Sequence, residues 1–570
     1  MPDAPKDGNV YRDRIHVARK FTEKQWHAKI PEWNKLWTGT EKPDNVDEAN
    51  RIFVNYTYAG IKQKVAKLYY RNPKIVVRPR NPEQPNAIQN AKNAEQTVNY
   101  QATLPEIPLR QQVVQALYDW KRTGIGALFT GWKTLLDRDE DGNPTSLRND
   151  RPEIVRLHPK RVYFPPDFSR EHVPYIVLEF PKSIKAIKEN PQYNKAARDE
   201  VSAKNFIDES FRDTIGAAPY KVGETEDMGR VREFHYFDAE KWVIFAEGVN
   251  IPLLERDNPY AAVFGKDNPL PVTFIWGDES LEGPWPMCEV ELVKPQQREL
   301  NKIRAQQVNH RKRFNRKYLF DKNKMDQAAV DKFKEPADGT MVGVETDGQP
   351  LQNMIFPVPE SPLQYPFNVE EAIKQDIQMT MGISALGFAN QSQNKTLGQD
   401  ELTEKSSKDR MDDEQSTVEE FVENVYTRLL QLDQAFLDQD IAVQTSTMPG
   451  DQQWLKQNKE SIAGELLLKV ISGSTVRETD SEVRTQAIQI LDVASKTPSL
   501  TPLTGEIAIK LMDTFPFLQD IVEKAKLLLQ APPMPPPGMD IPGAPPSDAA
   551  TVPGPGLPEA GPPAPMPPGV

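Results

Sequence analysis

The chain has 570 residues, 38% of them apolar, nine Trp, 23 Phe and a formal net charge of −12. A single cysteine, Cys288, excludes an intramolecular disulfide and any cysteine-based metal centre. The acidic balance argues against indiscriminate coating of nucleic acid, yet leaves room for a local basic patch. The length corresponds to about three or four domains. The opening "MPDAPKDGNVYRDR" lacks the apolar core of a signal peptide, and no window approaches ~18 consecutive apolar residues, so no helix is expected to span a membrane. The expectation is a protein made and used in cytoplasm.

In chain order, 11–38 and 46–70 predict helices, with Ile15, Ala18, Phe21, Trp26, Ile30, Trp33 and Trp37 at near-helical spacing. A third helix fits "RQQVVQALYDWKRTGIGAL", on Val113, Val114, Leu117, Trp120 and Ile125. The texture then turns to short apolar or alternating runs divided by Asp-Gly, Pro and Gly: "ALFTGWKTLLDRDEDGNP", "EIVRLHPKRVYFPPD", "PYIVLEF", "RVREFHYFDAEKWVIFAEGVNI" and "LPVTFIWGD". These predict strands and hairpins, making the first 285 residues a mixed α+β region. Residues 286–317 predict one helix, about 48 Å long at ~1.5 Å per residue, with Pro295 marking a kink or the true start. A compact insert, 318–366, carries one short helix ("MDQAAVDKFK") and strand-like "GTMVGVE" and "LQNMIFPVP". A helix resumes over 367–381, where Val369, Ile373 and Ile377 form an apolar line. Residues 382–398 are small, polar and Gly-bounded, a loop. A long helix follows over about 399–438, with a seam of Val418, Phe421, Val425, Leu429, Leu432 and Phe436 that predicts packing against another helix. Residues 400–440 hold 13 Asp or Glu against four Lys or Arg. Further helices are expected at 451–470, 476–496 and 502–530. The last 40 residues, with 16 Pro and six Gly, predict a disordered tail.

Several motifs imitate chemistry. "DRDEDGNPTSLR" (Asp137 to Arg148) resembles a calcium loop, but its twelfth position is Arg where a bidentate Glu belongs, so a hairpin turn on Asp141-Gly142 is favoured. "TGIGALFTG" follows a helix and has Phe129 where a dinucleotide loop has its third glycine, so its glycines serve close helix–strand packing. The six His are scattered, and no zinc spacing, nucleophile elbow or P-loop exists. No catalytic residue, metal ligand or cofactor is assigned. The abundant carboxylates keep open an alternative, a metal-dependent nucleic-acid-processing enzyme.

The sharpest local signal is "NKIRAQQVNHRKRFNRK", residues 301–317, with seven Lys or Arg, one His and no acid between Glu299 and Asp321. On a helical wheel Arg298, Lys302, Arg313, Arg316 and Lys317 share a sector about 100° wide, while Arg304, Arg311 and Lys312 fall elsewhere. Leu300, Ile303 and Phe314 lie roughly opposite the sector. Ordinary exposed helices mix signs for i,i+4 pairing. A helix polar around most of its circumference suits flanking by copies of itself. An ordinary exposed basic face remains the alternative.

The order of elements resembles the portal (head-to-tail connector) proteins of tailed double-stranded DNA bacteriophages. The residues that carry the likeness are "ALYDWKRTGIGALFTGW", "IVRLHPKRVYFPPD" and "LPVTFIWGDESLEGPWPMCEVELVKPQQRELNKIRAQQVNH", and it covers roughly 50–440. The resemblance implies a wing at 1–285, a first stem helix at 286–317, a clip at 318–366 and a second stem helix at 367–381. It further implies a tunnel loop at 382–398 (Asn390, Gln391, Gln393, Asn394 and Lys395 facing DNA), a long wing helix at 399–444, a helical crown at 445–530 and the tail at 531–570. The Pro-rich tail and Pro295 depart from the family's plan. The implied function is a non-enzymatic, homo-oligomeric ring, typically of twelve subunits, at one capsid vertex of the virion. Through it double-stranded DNA would pass, independently of sequence, in packaging and ejection. The implied partners are the terminase large subunit, the major capsid protein, and head-completion, adaptor and tail proteins, with no membrane. A third possibility is a non-portal virion structural protein.

Overall fold

The computed structural model of the chain describes residues 9–41, 52–138, 144–201, 230–265, 268–313, 318–320, 331, 355–357, 367–383, 397–437, 441–444, 454–471 and 475. The chain divides into two units, 1–477 and 478–570, of which the second lies wholly outside the described residues. The first mixes helix and sheet, as α+β requires.

Helix α1 (Val10–Thr22) starts on Asn9, whose Oδ1 accepts the Tyr11 N–H at 3.1 Å. The single helix expected over 11–38 is instead two. A π-helical turn (Glu23–His27) follows α1, and α2 (Ile30–Thr38) begins afresh around Pro31. Proline has no N–H to continue the ladder, so the chain must re-enter helix there. The break swings Trp26 inward, where its Nε1 donates to the Thr123 carbonyl at 2.9 Å and its ring stacks on Trp285 at 5.4 Å. Helix α3 (Tyr56–Leu68) is capped by Asn55; of the helix expected over 46–70, residues 46–51 are outside the described set.

Strand β1 (Ile75–Pro79) and helix α4 (Ala87–Gln101) are not anticipated by the periodicity reading. The buried face of α4 is Ala87, Ala91, Ala94 and Val98, too small to stand out among its Asn and Gln. Helix α5 (Leu109–Thr123) ends at Gly124, φ +84°, and strand β2 (Ile125–Arg138) starts at once. A Cβ on Gly126 would run into the Ala116 carbonyl, so this glycine is what lets the strand lie against α5. The packing role expected of "TGIGALFTG" is therefore found.

Strand β2 pairs antiparallel with β3 (Pro144–Arg156), and Asp137 opposes Ser146, so the pseudo-calcium stretch belongs to a hairpin. With β9 (Val272–Trp276) they form a three-stranded sheet of order β3-β2-β9. A second, antiparallel sheet runs β4 (Val162–Tyr163), β5 (Tyr175–Ser183), β6 (Arg230–Asp238), β7 (Lys241–Ala246) and β8 (Leu254–Asp257) in sequence order. Short helices α6 (Ile184–Glu189), α7 (Lys195–Glu200) and α8 (Pro259–Phe264) complete this half.

Helix α9 (Glu289–Arg313) is unbroken, with Pro295 on its exposed side, so Pro295 is neither its start nor its end. Of the expected span 286–317, residues 314–317 lie outside the described set. Strands β10 (Tyr318–Phe320) and β11 (Ile355–Pro357) pair antiparallel, Tyr318 opposite Pro357, so the two ends of the insert lie side by side. Within the insert only Asp331 is otherwise described, and it is helical. Helix α10 (Phe367–Met381) has the expected bounds and buries Ile373 and Ile377.

Helix α11 (Leu397–Phe436) carries the expected seam: Val418, Phe421, Val425, Leu429 and Leu432 are all buried. It does not meet one partner helix. It lies on β2, β9 and, further along the chain, β14 (Leu466–Val470), as well as on α3, α4 and α8. The helix expected over 451–470 is also corrected. Strand β12 (Ile441–Gln444) pairs with β13 (Trp454–Gln457), and β14 pairs antiparallel with β1, Ile75 opposite Val470. "LLLKV" is an apolar run too short to distinguish helix from strand by period, and its partner lies near the other end of the chain. The expected helices 476–496 and 502–530 and the tail 531–570 fall outside the described residues.

Candidate functional site

The base of α9 is tied into the domain by charge. Lys64 on α3 and Lys121 on α5 are buried, and each reaches the same two carboxylates. Lys64 Nζ lies 2.6 Å from Glu289 Oε1 and 2.5 Å from Glu414 Oε1; Lys121 Nζ lies 2.9 Å from Glu289 Oε1 and 2.7 Å from Glu414 Oε2. Burial pushes the Glu289 carboxyl up, but Lys121 and Lys64 outweigh it and hold it below the usual carboxylate range. Lys64 is held up by Glu289 and Glu414 against the same desolvation. Two positive and two negative groups thus join α3, α5, α9 and α11. Buried charges persist only when paired in this way.

A ladder of amides continues along α9. Gln297 Oε1 accepts from the Thr57 N–H and Oγ1, both at 3.1 Å, and its Nε2 donates to the Val54 carbonyl at 2.7 Å. Asn301 Oδ1 accepts from Gln297 Nε2 at 3.1 Å and from the Val54 N–H at 3.3 Å. Both side chains are buried. Reading the helix as a charged surface misses this face; the buried Gln and Asn at i,i+4 were its available signal.

The basic residues singled out in α9 separate into groups. Arg298 donates to Glu41 at 2.5 Å and to Glu32 at 2.6 Å, both near the chain's start, and the Glu41 hydrogen bond, with that of Glu32, holds its guanidinium above the ordinary arginine value. Arg304 Nη1 lies 3.2 Å from Glu370 Oε2 on α10. Burial pushes the Glu370 carboxyl up, but the Lys374 hydrogen bond at 2.9 Å and the Arg304 charge bring it below its usual range. Lys302 is exposed and belongs to no ion pair among the described residues. Arg311, Lys312 and Arg313 occupy the last turn of α9, where the backbone alone is described. Arg316, Lys317 and the loop residues Asn390, Gln391, Gln393, Asn394 and Lys395 lie outside the described residues.

Elsewhere, polar burial serves structure. Asp119 on α5 takes a two-pronged contact from Arg156 on β3, 2.5 Å to Nε and 2.7 Å to Nη2, plus Arg122 at 2.6 Å. His27 is lowered to about 4 by burial, with Nε2 at 3.0 Å from the Pro159 carbonyl, and His158 is lowered to about 3. Cys288 is buried and its thiol is pushed up to about 12. Among the described residues no three His, Cys, Asp or Glu come together as a metal site, and no helix is long and apolar enough to cross a membrane. No protein-family model matches the chain, and no curated protein matches it in sequence.

Proposed function

We propose that this chain is the subunit of a portal-like ring: a channel for double-stranded DNA at a capsid vertex, with a docking platform for the packaging motor and tail components. The observation that carries this reading is the order α9, β10–β11 ribbon, α10, intervening stretch, α11. Two helices packed side by side, and against α3, bracket an insert whose ends are paired, and a 40-residue helix seated on the β-rich sheets follows. In this reading the α9–α10 pair is the stem, residues 318–366 the clip and 382–398 the tunnel loop, while β14, paired with β1, belongs to the body and any crown would lie beyond it.

The charge distribution supports the same reading. Arg298 and Arg304 are matched by carboxylates of the same chain, while the sequence from Lys302 to Lys317 holds seven Lys or Arg and no acid. Rotational repetition of such a segment makes a ring of positive charge suited to weak phosphate contacts without base readout.

Negative-stain microscopy of the purified full chain tests the proposal. Rings with a central hole are expected; monodisperse monomers at high concentration overturn it. Magnesium-dependent cleavage of DNA by the same preparation would favour a nuclease instead.

A further inference from the structure

Near the far end of α11, Asp433 is fully buried and makes no ion pair among the described residues. Among the described residues its one side-chain hydrogen bond is with the Gln101 amide at the end of α4: Nε2 donates to Oδ1 at 3.0 Å. Three features then coincide. Asp433 Oδ2 is buried without a partner, Gln101 Oε1 is buried without a partner, and both belong to this one contact. Two orphan acceptors on one hydrogen-bonded pair are costly, because neither can satisfy the other. One proton resolves both.

We propose that Asp433 is held as the neutral acid, its Oδ2–H donating to Gln101 Oε1, so that acid and amide close a two-bond ring that latches α11 to α4. The inference stands independently of the portal reading. Burial outweighs the lowering effect of the Gln101 hydrogen bond and leaves the Asp433 carboxyl raised to about 7. Charged groups on the packed elements point to other partners. On α11, Arg428 donates to the Leu270 carbonyl and Glu423 accepts from the Val470 N–H. On α4, Glu95 accepts from the Val77 N–H; after β13, Lys459 donates to the Ala435 carbonyl. Lys133 on β2 pairs with Glu153, Lys469 on β14 is exposed, and the Tyr426 phenol is pushed up by burial and stays neutral.

The folded carboxyl titrates above its unfolded value, so the latch is intact in acid and is lost as pH rises through about 7. Beyond α4 lies more: α4 packs on β1, which pairs with β14, and its Asn90 and Asn93 hold the Ala463 and Ser461 carbonyls. Opening the latch would loosen that whole edge from α11.

Infrared difference spectra of the full chain, titrated from mildly acidic to mildly basic pH, test this directly. A protonated-carboxyl band that disappears as pH rises through neutrality, and that is missing from Asp433→Asn, is expected. Asn at this position keeps both bonds without a titrating proton, so wild type's unfolding constant should rise relative to D433N by about tenfold per pH unit as neutrality is approached, then level off. Gln101→Leu removes the amide while leaving the acid, and should shift the band to higher frequency; this variant carries the assignment if D433N does not fold. Absence of the band at mildly acidic pH, or a band unmoved by Q101L, overturns the proposal.

Discussion

The middle and the far end of α11 handle buried charge in opposite ways. Near its middle Glu414 shares Lys64 and Lys121 with Glu289, two carboxylates set against two lysines. Near its end Asp433 meets only an amide. The first arrangement favours a bare Glu289 carboxylate, which Lys121 and Lys64 hold below its usual range. The second calls for an extra proton on a carboxyl. One helix is therefore anchored by two contacts of opposite pH response.

The largest expected effect comes from unbalancing the four-charge junction. Glu289→Ala leaves two buried lysines with one carboxylate, and should lose about 3–5 kcal/mol in urea unfolding of the full chain. Pairing Lys64→Met with Glu289→Leu removes one charge of each sign. That double variant should recover a good part of the loss, giving a coupling readable in a double-mutant cycle. Additive losses would show that the lysines are not held by these carboxylates.

A second test sharpens the contrast by pH. The Glu289 carboxyl is depressed in the fold, so its contribution is present above the unfolded carboxylate value and is lost as pH falls through the folded one. Asp433 has the opposite sign. Unfolding midpoints measured across pH should therefore show Glu289→Gln flattening the acid limb and Asp433→Asn the limb approaching neutrality. A common response to both variants would contradict the division.

The smallest effects fall on α9's exposed face. Arg298→Ala breaks contacts to Glu32 and Glu41 at a partly exposed site, and should cost about 1 kcal/mol. Lys302→Ala touches no carboxylate and should stay within about 0.5 kcal/mol by the same assay. If Lys302 proves the costlier of the two, the unpaired charge serves the single chain after all.

What the sequence made legible follows range. Elements with their own period or punctuation, such as α1, α5, α10, the β2–β3 hairpin and the β5–β7 meander, are read from neighbours three, four or two residues away. Helix α4 escapes because alanines bury little, and β14 because its partner β1 is nearly four hundred residues upstream. The site obeys the same limit. The basic density of 301–317 is plain in one line of sequence, but Arg298 finds its acids 257 and 266 residues away. The junction draws one residue from each of four helices, so no local window contains it.

The pairing of β1 with β14 sets a schedule for synthesis. At roughly 5–20 residues per second, the ribosome needs on the order of 20–80 seconds after making β1 to deliver its partner. Throughout that interval the β14-facing edge of β1, where the Lys74 carbonyl and the Arg80 N–H meet residues flanking β14, has no strand to complete it. An unpaired apolar edge invites association with other nascent chains. The α4 side chains that bond β1's backbone, Asn99 on Ile75 and Glu95 on Val77, follow it out of the tunnel within about two dozen residues, but they close its other edge and leave the β14 side open.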